Sequence, residues 1–179
     1  MKNFTYLIIK PDGMSLIGDI LKELENDDIE VIAKYKVTNF DRLAVPLYLD
    51  DEAILRGNAP IIIGINHIFK QKYGTVATIL LIRSKRAEPI EDFIIRVCCL
   101  KKEIRRRYIG GYVSYVGSVE SDDYNEYNIP FSTSLAKRRC ISDNGYIYQF
   151  QLNGLHSPDN RAAFDREIAV LEEYGVFNK

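Results

Sequence analysis

Apolar residues follow two rhythms along the first part of the chain. Phe4 to Ile9 is a short apolar run that Pro11 stops and Asp12-Gly13 turns, the mark of a strand entering a tight turn. Leu16, Ile17, Ile20, Leu21 and Leu24 then keep helical spacing and predict a helix to about Asn26. Ile29 to Val37 alternates well enough for a second strand. Asn39-Phe40-Asp41 opens a short helix through Leu43 and Ala44, its length limited by Pro46. An irregular helical region follows, with the apolar run Ile61-Ile62-Ile63. Gly74 to Ile82 is rich in β-branched residues and predicts a third strand. Phe93, Val97, Leu100 and Ile104 predict a long helix over Glu88 to Arg107, ended by Gly110-Gly111, with a basic tail suited to its C-terminus. Tyr112 to Asn144 is loop-like in composition, and a loop of that length in a compact domain is either functional or a partner-binding arm. Tyr146 to Leu152 alternates again as a strand buried on one face. Phe164, Ile168 and Leu171 recur at i, i+4 and i+7 until Gly175, predicting a closing helix. Pro158 suits its first turn, with Ser157, Asp159 or Asn160 available as N-cap.

The order is therefore β-α-β-(helices)-β-α-loop-β-α. Pattern alone supports α+β or α/β. A ferredoxin-like split βαβ sandwich fits it: a four-stranded antiparallel sheet covered by helices, with an expanded loop before the last strand. The 179 residues form one domain over 1–179, long enough to bury a real core. The formal net charge of −1 argues against a surface that coats a membrane or a polyanion, so no specific nucleic acid is expected. No apolar run spans a membrane, and Met1-Lys2-Asn3 leads straight into a strand, which together predict a soluble cytoplasmic protein. Cys98, Cys99 and Cys140 have no metal-ligand spacing and read as buried small hydrophobes. His67, beside Phe69, reads as a surface or packing residue.

Two short stretches carry candidate chemistry. Lys10 stands at the carboxyl end of a strand, beside a helix start, where its ammonium can reach a phosphate oxygen as a point charge. His156 lies between a predicted strand and a predicted helix, where backbone N–H groups and the helix dipole favour an anion. Glu167 lies about three turns along that helix, on a face that can look back toward the ring. Read locally, a solvated turn lysine and a hydrogen-bonded turn histidine are equally good accounts.

Asn153-x-x-His156-x-x-Asp159 followed by helical Glu167 resembles the phosphohistidine segment of the nucleoside diphosphate kinases. Lys10-Pro11-Asp12-Gly13 resembles the other half of that family's signature, in the right order and at the opposite end of the chain. The resemblance implies the ferredoxin-like fold and a ping-pong reaction. The γ-phosphoryl group of a nucleoside triphosphate passes to histidine and then to a nucleoside diphosphate, with Mg²⁺ accompanying the nucleotide. It implies His156 as nucleophile, Glu167 on the ring's other nitrogen, and Lys10 neutralising charge on the transferring group. Tyr48 would position histidine and phosphate, Asn153 would contact the sugar hydroxyl, and Asp159 would be a structural cap. Two arginines on the phosphates are also implied. Arg106 is the choice for the first, because Arg106 to Gly110 repeats the family's Arg-x-x-x-Gly spacing, with Arg105, Arg107 and Arg96 as rivals. Arg138 or Arg139 would be the second. A homo-oligomer is expected from the same resemblance.

Departures accompany the match. The turn after Gly13 is short, Tyr112 stands where the family has a Thr, and the loop before His156 is expanded. Ser157-Pro158 replaces a small residue followed by Ser, so that hydroxyl has moved or been lost. The base-stacking Phe expected after Tyr48 has no clear counterpart. The rival functions are a nucleotide-binding sensor or scaffold of the same fold with little turnover, and a domain of this fold with an unrelated role such as RNA binding.

Overall fold

Strand β1 (Thr5–Ile9) lies inside its sheet, paired along both edges, and is buried at every position. The computed structural model describes residues 3–48, 69–109, 111–118, 123–130 and 150–177. After β1 a 3₁₀ turn (Pro11–Leu16) leads into α1 (Ile17–Asn26), β2 (Ile29–Val37) and α2 (Phe40–Tyr48). A π turn (Phe69–Tyr73) precedes β3 (Ala77–Ser84) and α3 (Ile90–Ile104), and a second π turn (Arg105–Ile109) follows α3. Then come β4 (Gly111–Ser118), β5 (Asp123–Pro130), β6 (Phe150–Leu152), β7 (Leu155–His156) and α4 (Arg161–Glu173).

The main sheet has the order β2-β3-β1-β7 with antiparallel neighbours throughout, the split βαβ arrangement expected from the element order. Leu7 pairs with Leu80, and Ile8 and Ile9 pair with His156 and Leu155. Apolar stripes from the helices close the core over this sheet. Ile20 and Leu24 come from α1, Phe93, Ile94 and Val97 from α3, and Phe164 and Leu171 from α4. Phe40, Leu43, Ala44 and Leu47 bring α2 into the same core. No helix among the described residues is long and apolar enough to cross a membrane.

Several elements differ from the sequence pattern. Helix α2 runs through Pro46 to Tyr48 instead of stopping short of it. The buried face of Phe40, Leu43, Ala44 and Leu47 outweighs the one backbone bond that proline removes. The stretch expected to be a loop contains β4 and β5, which pair with β6 in a second, three-stranded antiparallel sheet. The fourth strand of the main sheet is accordingly not the Tyr146 to Leu152 stretch but the two-residue β7 that follows it. Pro158 precedes α4 rather than sitting in its first turn, and Asn160 is the N-cap, its Oδ1 accepting from the Ala163 N–H at 2.9 Å. Gly175 does end the helix: at φ +66° it lets its own N–H reach the Glu172 carbonyl and the Val176 N–H reach that of Leu171. Cys98 is buried but Cys99 is exposed, since adjacent helical residues point about 100° apart. His67, Cys140, Arg138, Arg139 and the Ile61-Ile62-Ile63 run lie outside the described residues.

Candidate functional site

The two motif segments, far apart in sequence, touch through their backbones. Ile8 opposite His156 brings the end of β1 to β7, and the Lys10 N–H donates to the Gly154 carbonyl at 2.8 Å. The Gly154 N–H returns a bond to Asp12 Oδ2 at 2.7 Å. A side chain at Gly13 has no room: a Cβ there would lie 2.3 Å from the Gly154 carbonyl oxygen. Gly154 itself needs the left-handed region, at φ +69°, to turn the chain from β6 into β7.

On this frame His156 is half-buried, with its Nε2 2.8 Å from Glu167 Oε2. Glu167 is carried on the inward face of α4 and is itself buried. A carboxylate accepts, so Nε2 holds the proton and Nδ1 keeps the lone pair. Among the described residues no hydrogen bond occupies Nδ1. Burial holds the imidazole below the ordinary histidine pKa; the nearby Lys101 and Lys10 act in the same direction, and Glu167 opposes them. Tyr48, at the end of α2, sets its ring edge-on to His156, with centroids 4.9 Å apart and planes at 88°. Its buried hydroxyl has no partner among the described residues. Burial first, then the charge of Glu167, keeps that hydroxyl protonated.

Lys10 is buried and donates from Nζ to Asn153 Oδ1 at 2.7 Å. Burial pulls its ammonium down to about 8 against the attraction of Asp12, with Arg105 and Lys101 adding to the fall. Asn153 Oδ1 also receives Arg105 Nη2 at 2.8 Å, while Arg105 Nε reaches the Asn153 carbonyl at 3.2 Å and a further bond runs to the Leu155 carbonyl. Lys10, Arg105 and Asn153 thus form one hydrogen-bonded cluster at the end of β1, and Lys10 lies near enough to His156 for its charge to act on the ring. Arg106, preferred from the Arg-x-x-x-Gly spacing, is not part of it: its side chain is exposed and pairs with Glu103. The π turn that follows α3 aims Arg105 inward and Arg106 outward, a rotation that spacing cannot reveal. Arg107 pairs with Glu23, and Arg96 with Asp27 and Glu88, also away from the cluster.

Other contributors escaped the sequence pattern. Lys101 is buried beneath the segment after His156, donating to the Ser157 carbonyl at 3.0 Å and to Asp159 Oδ1 at 2.9 Å. Its signal was legible: it stands at i+4 from Val97 and i−3 from Ile104, inside the apolar stripe of α3. Asp159 is not the expected cap. It also accepts from Cys98 Sγ, and although burial opposes ionisation, the Cys98 and Lys101 bonds bring its carboxyl down to about 2. Pro158 has no hydroxyl, and Ser157 Oγ, buried, has no partner among the described residues. Tyr6, read as one of an apolar run, donates its hydroxyl to Glu167 Oε2.

No family model and no curated protein sequence matches this chain, but solved structures do. A nucleoside diphosphate kinase from Borrelia burgdorferi, solved as a transition-state mimic with bound vanadate and ADP, matches at TM-score 0.51 and 22% identity, over 93% of this chain and 84% of that one. The fold is that of the nucleoside diphosphate kinases. A second example, from Aquifex aeolicus, matches at TM-score 0.51 and 17% identity over 94% of each chain. The nucleoside diphosphate kinase fold therefore extends across nearly the whole chain at sequence identities too low to carry the activity with it.

Proposed function

We propose that this protein transfers the γ-phosphoryl group of a nucleoside triphosphate to a nucleoside diphosphate through a phosphohistidine at His156. One observation carries the reading: an imidazole whose Nε2 is held by a buried carboxylate and whose Nδ1 has no hydrogen bond among the described residues, with Lys10 near enough for its charge to act on the ring. In the first half-reaction Nδ1 attacks the γ-phosphorus in line. The N–P bond forms as the bond to the β,γ-bridging oxygen breaks, and the nucleoside diphosphate departs with that electron pair. The ring acquires positive charge, which Glu167 stabilises through the Nε2 proton without taking it. In the second half-reaction a terminal phosphate oxygen of another nucleoside diphosphate attacks the same phosphorus, and the N–P pair returns to Nδ1.

Lys10 and Arg105 supply positive charge to neutralise the negative charge on the equatorial oxygens, the main task in phosphoryl transfer. The Tyr48 hydroxyl, without a partner among the described residues, is a further donor for a phosphate oxygen. Mg²⁺ enters with the nucleotide as part of the substrate. Among the described residues no group of three or more His, Cys, Asp or Glu side chains is arranged to hold it, and the cationic cluster would meet its phosphates instead. Arg138 and Arg139 remain candidates for a second phosphate contact. A homo-oligomer in the cytoplasm completes the reading.

The test is incubation with γ-labelled ATP. Acid-labile, base-stable label on the wild-type protein is expected, discharged by added GDP and absent from His156→Gln. Nucleotide binding without any label would point to a sensor or scaffold of this fold, and label that survives in the Gln variant would remove His156 from the reaction.

A further inference from the structure

Glu167 does not hold His156 alone. Its Oε2 takes two donors, the imidazole Nε2 at 2.8 Å and the hydroxyl of Tyr6. Its Oε1 takes Arg166 Nη2 at 3.1 Å, and Arg166 Nη1 is tied to the Leu47 carbonyl at 3.0 Å. Tyr6 is wholly inaccessible on the central strand, packed at 6.3 Å from the Phe164 ring and 6.4 Å from that of His156. Nothing about packing requires a hydroxyl there, since a phenyl ring would fill the same space. A buried hydroxyl is costly unless it is bonded, and this one is aimed at the one carboxylate that sets the histidine tautomer.

We infer that Tyr6 is a positioning residue for His156: its hydroxyl fixes Glu167 Oε2 opposite Nε2 and shares that oxygen's negative charge, so that Nδ1 stays presented as a neutral nucleophile. Neither residue following His156 does this work, because Pro158 has no hydroxyl and the Ser157 hydroxyl has no partner among the described residues. The donor arrives instead from β1, the strand whose end also carries Lys10, so one strand organises both the nucleophile and a charge that would face the phosphate. Burial and the neighbouring carboxylate raise the Tyr6 hydroxyl well above its ordinary pKa, and it remains a donor across the working range. With the donor removed, the full charge of Oε2 falls on the imidazole, and the His156–Glu167 pair takes up its proton at higher pH.

The inference rests on the phosphohistidine reading for its purpose but not for its test. Tyr6→Phe keeps the ring and should keep the fold, checked by its unfolding transition. Imidazole ¹⁵N shifts of His156, followed against pH in the nucleotide-free protein, should show the titration moved up by roughly half a unit or more. Label transfer from γ-labelled ATP should slow more at pH 6 than at pH 8, by up to about 3-fold for a half-unit shift, because less neutral imidazole survives in acid. A Tyr6→Phe protein whose ¹⁵N titration matches the wild type overturns the inference. If the ¹⁵N changes occur in a protein that takes no label, the positioning role stands and the kinase reading falls.

Discussion

Gly13→Ala tests the contact that joins the two ends of the site. The new Cβ would stand 2.3 Å from the Gly154 oxygen and 2.9 Å from its Cα and carbonyl carbon, all backbone atoms with no rotamer to escape into. Gly154 cannot retreat freely: it accepts from the Lys10 N–H, donates to Asp12, and lies against the Ile109 side chain. Ordinary contact therefore demands about 1 Å of separation between the Lys10–Gly13 turn and the segment leading to His156. Overpacking of this kind costs about 1–3 kcal/mol, and rigid partners put this site near 3. That corresponds to roughly 6–12 °C in Tm for a chain of this size. Because the same displacement moves Lys10 away from His156, labelling from γ-labelled ATP should fall by about 100-fold. Gly18→Ala is the control: it lies in α1, where an added Cβ meets nothing within 4 Å. It should be neutral or stabilising by up to about 1 kcal/mol. Urea unfolding and labelling of both variants give the comparison. Wild-type stability and wild-type labelling in Gly13→Ala would refute the argument that this backbone contact assembles the site.

The two adjacent arginines should separate cleanly. Arg105→Ala strips donors from Asn153 and Leu155 and should cost about 1–3 kcal/mol together with at least about 10-fold in labelling. Arg106→Ala, losing only an exposed pair with Glu103, should stay within about 0.5 kcal/mol of wild type in the same denaturation and labelling assays. Lys10 gives a pH signature. With its folded pKa lowered to about 8 from 10.5, the unfolded chain holds the extra proton between those values, so stability should rise with pH across that window. Lys10→Met should flatten the rise in pH-dependent unfolding, and wild-type labelling should decline as pH passes about 8 and the ammonium is lost.

The predicted α1, β2 and α3 were legible because each buries a repeating face, and the period of that face is written in the chain; β1 was legible as an unbroken apolar run, buried at every position. The motif residues were legible for a different reason: a turn lysine and a turn histidine had plain local alternatives, and the family resemblance of their two segments singled them out. Two expectations that failed depended on partners. The stretch from residue 112 lacked an apolar signature strong enough to announce strands, yet β4 and β5 form by pairing with each other and β4 pairs with β6. Helix α2 passes Pro46 because its apolar face finds the core.

At the candidate site the sequence alone named His156, Glu167, Lys10, Tyr48 and Asn153 and set them in order. Only the tertiary structure placed Arg105 rather than Arg106 against Asn153, placed Lys101 beneath the histidine segment, and turned Tyr6 from an apolar strand residue into a donor on Glu167. Periodicity reports which face of an element is inward. Which buried atoms meet there depends on pairing across long stretches of chain, such as Ile8 opposite His156, and on the turn of a single helix end.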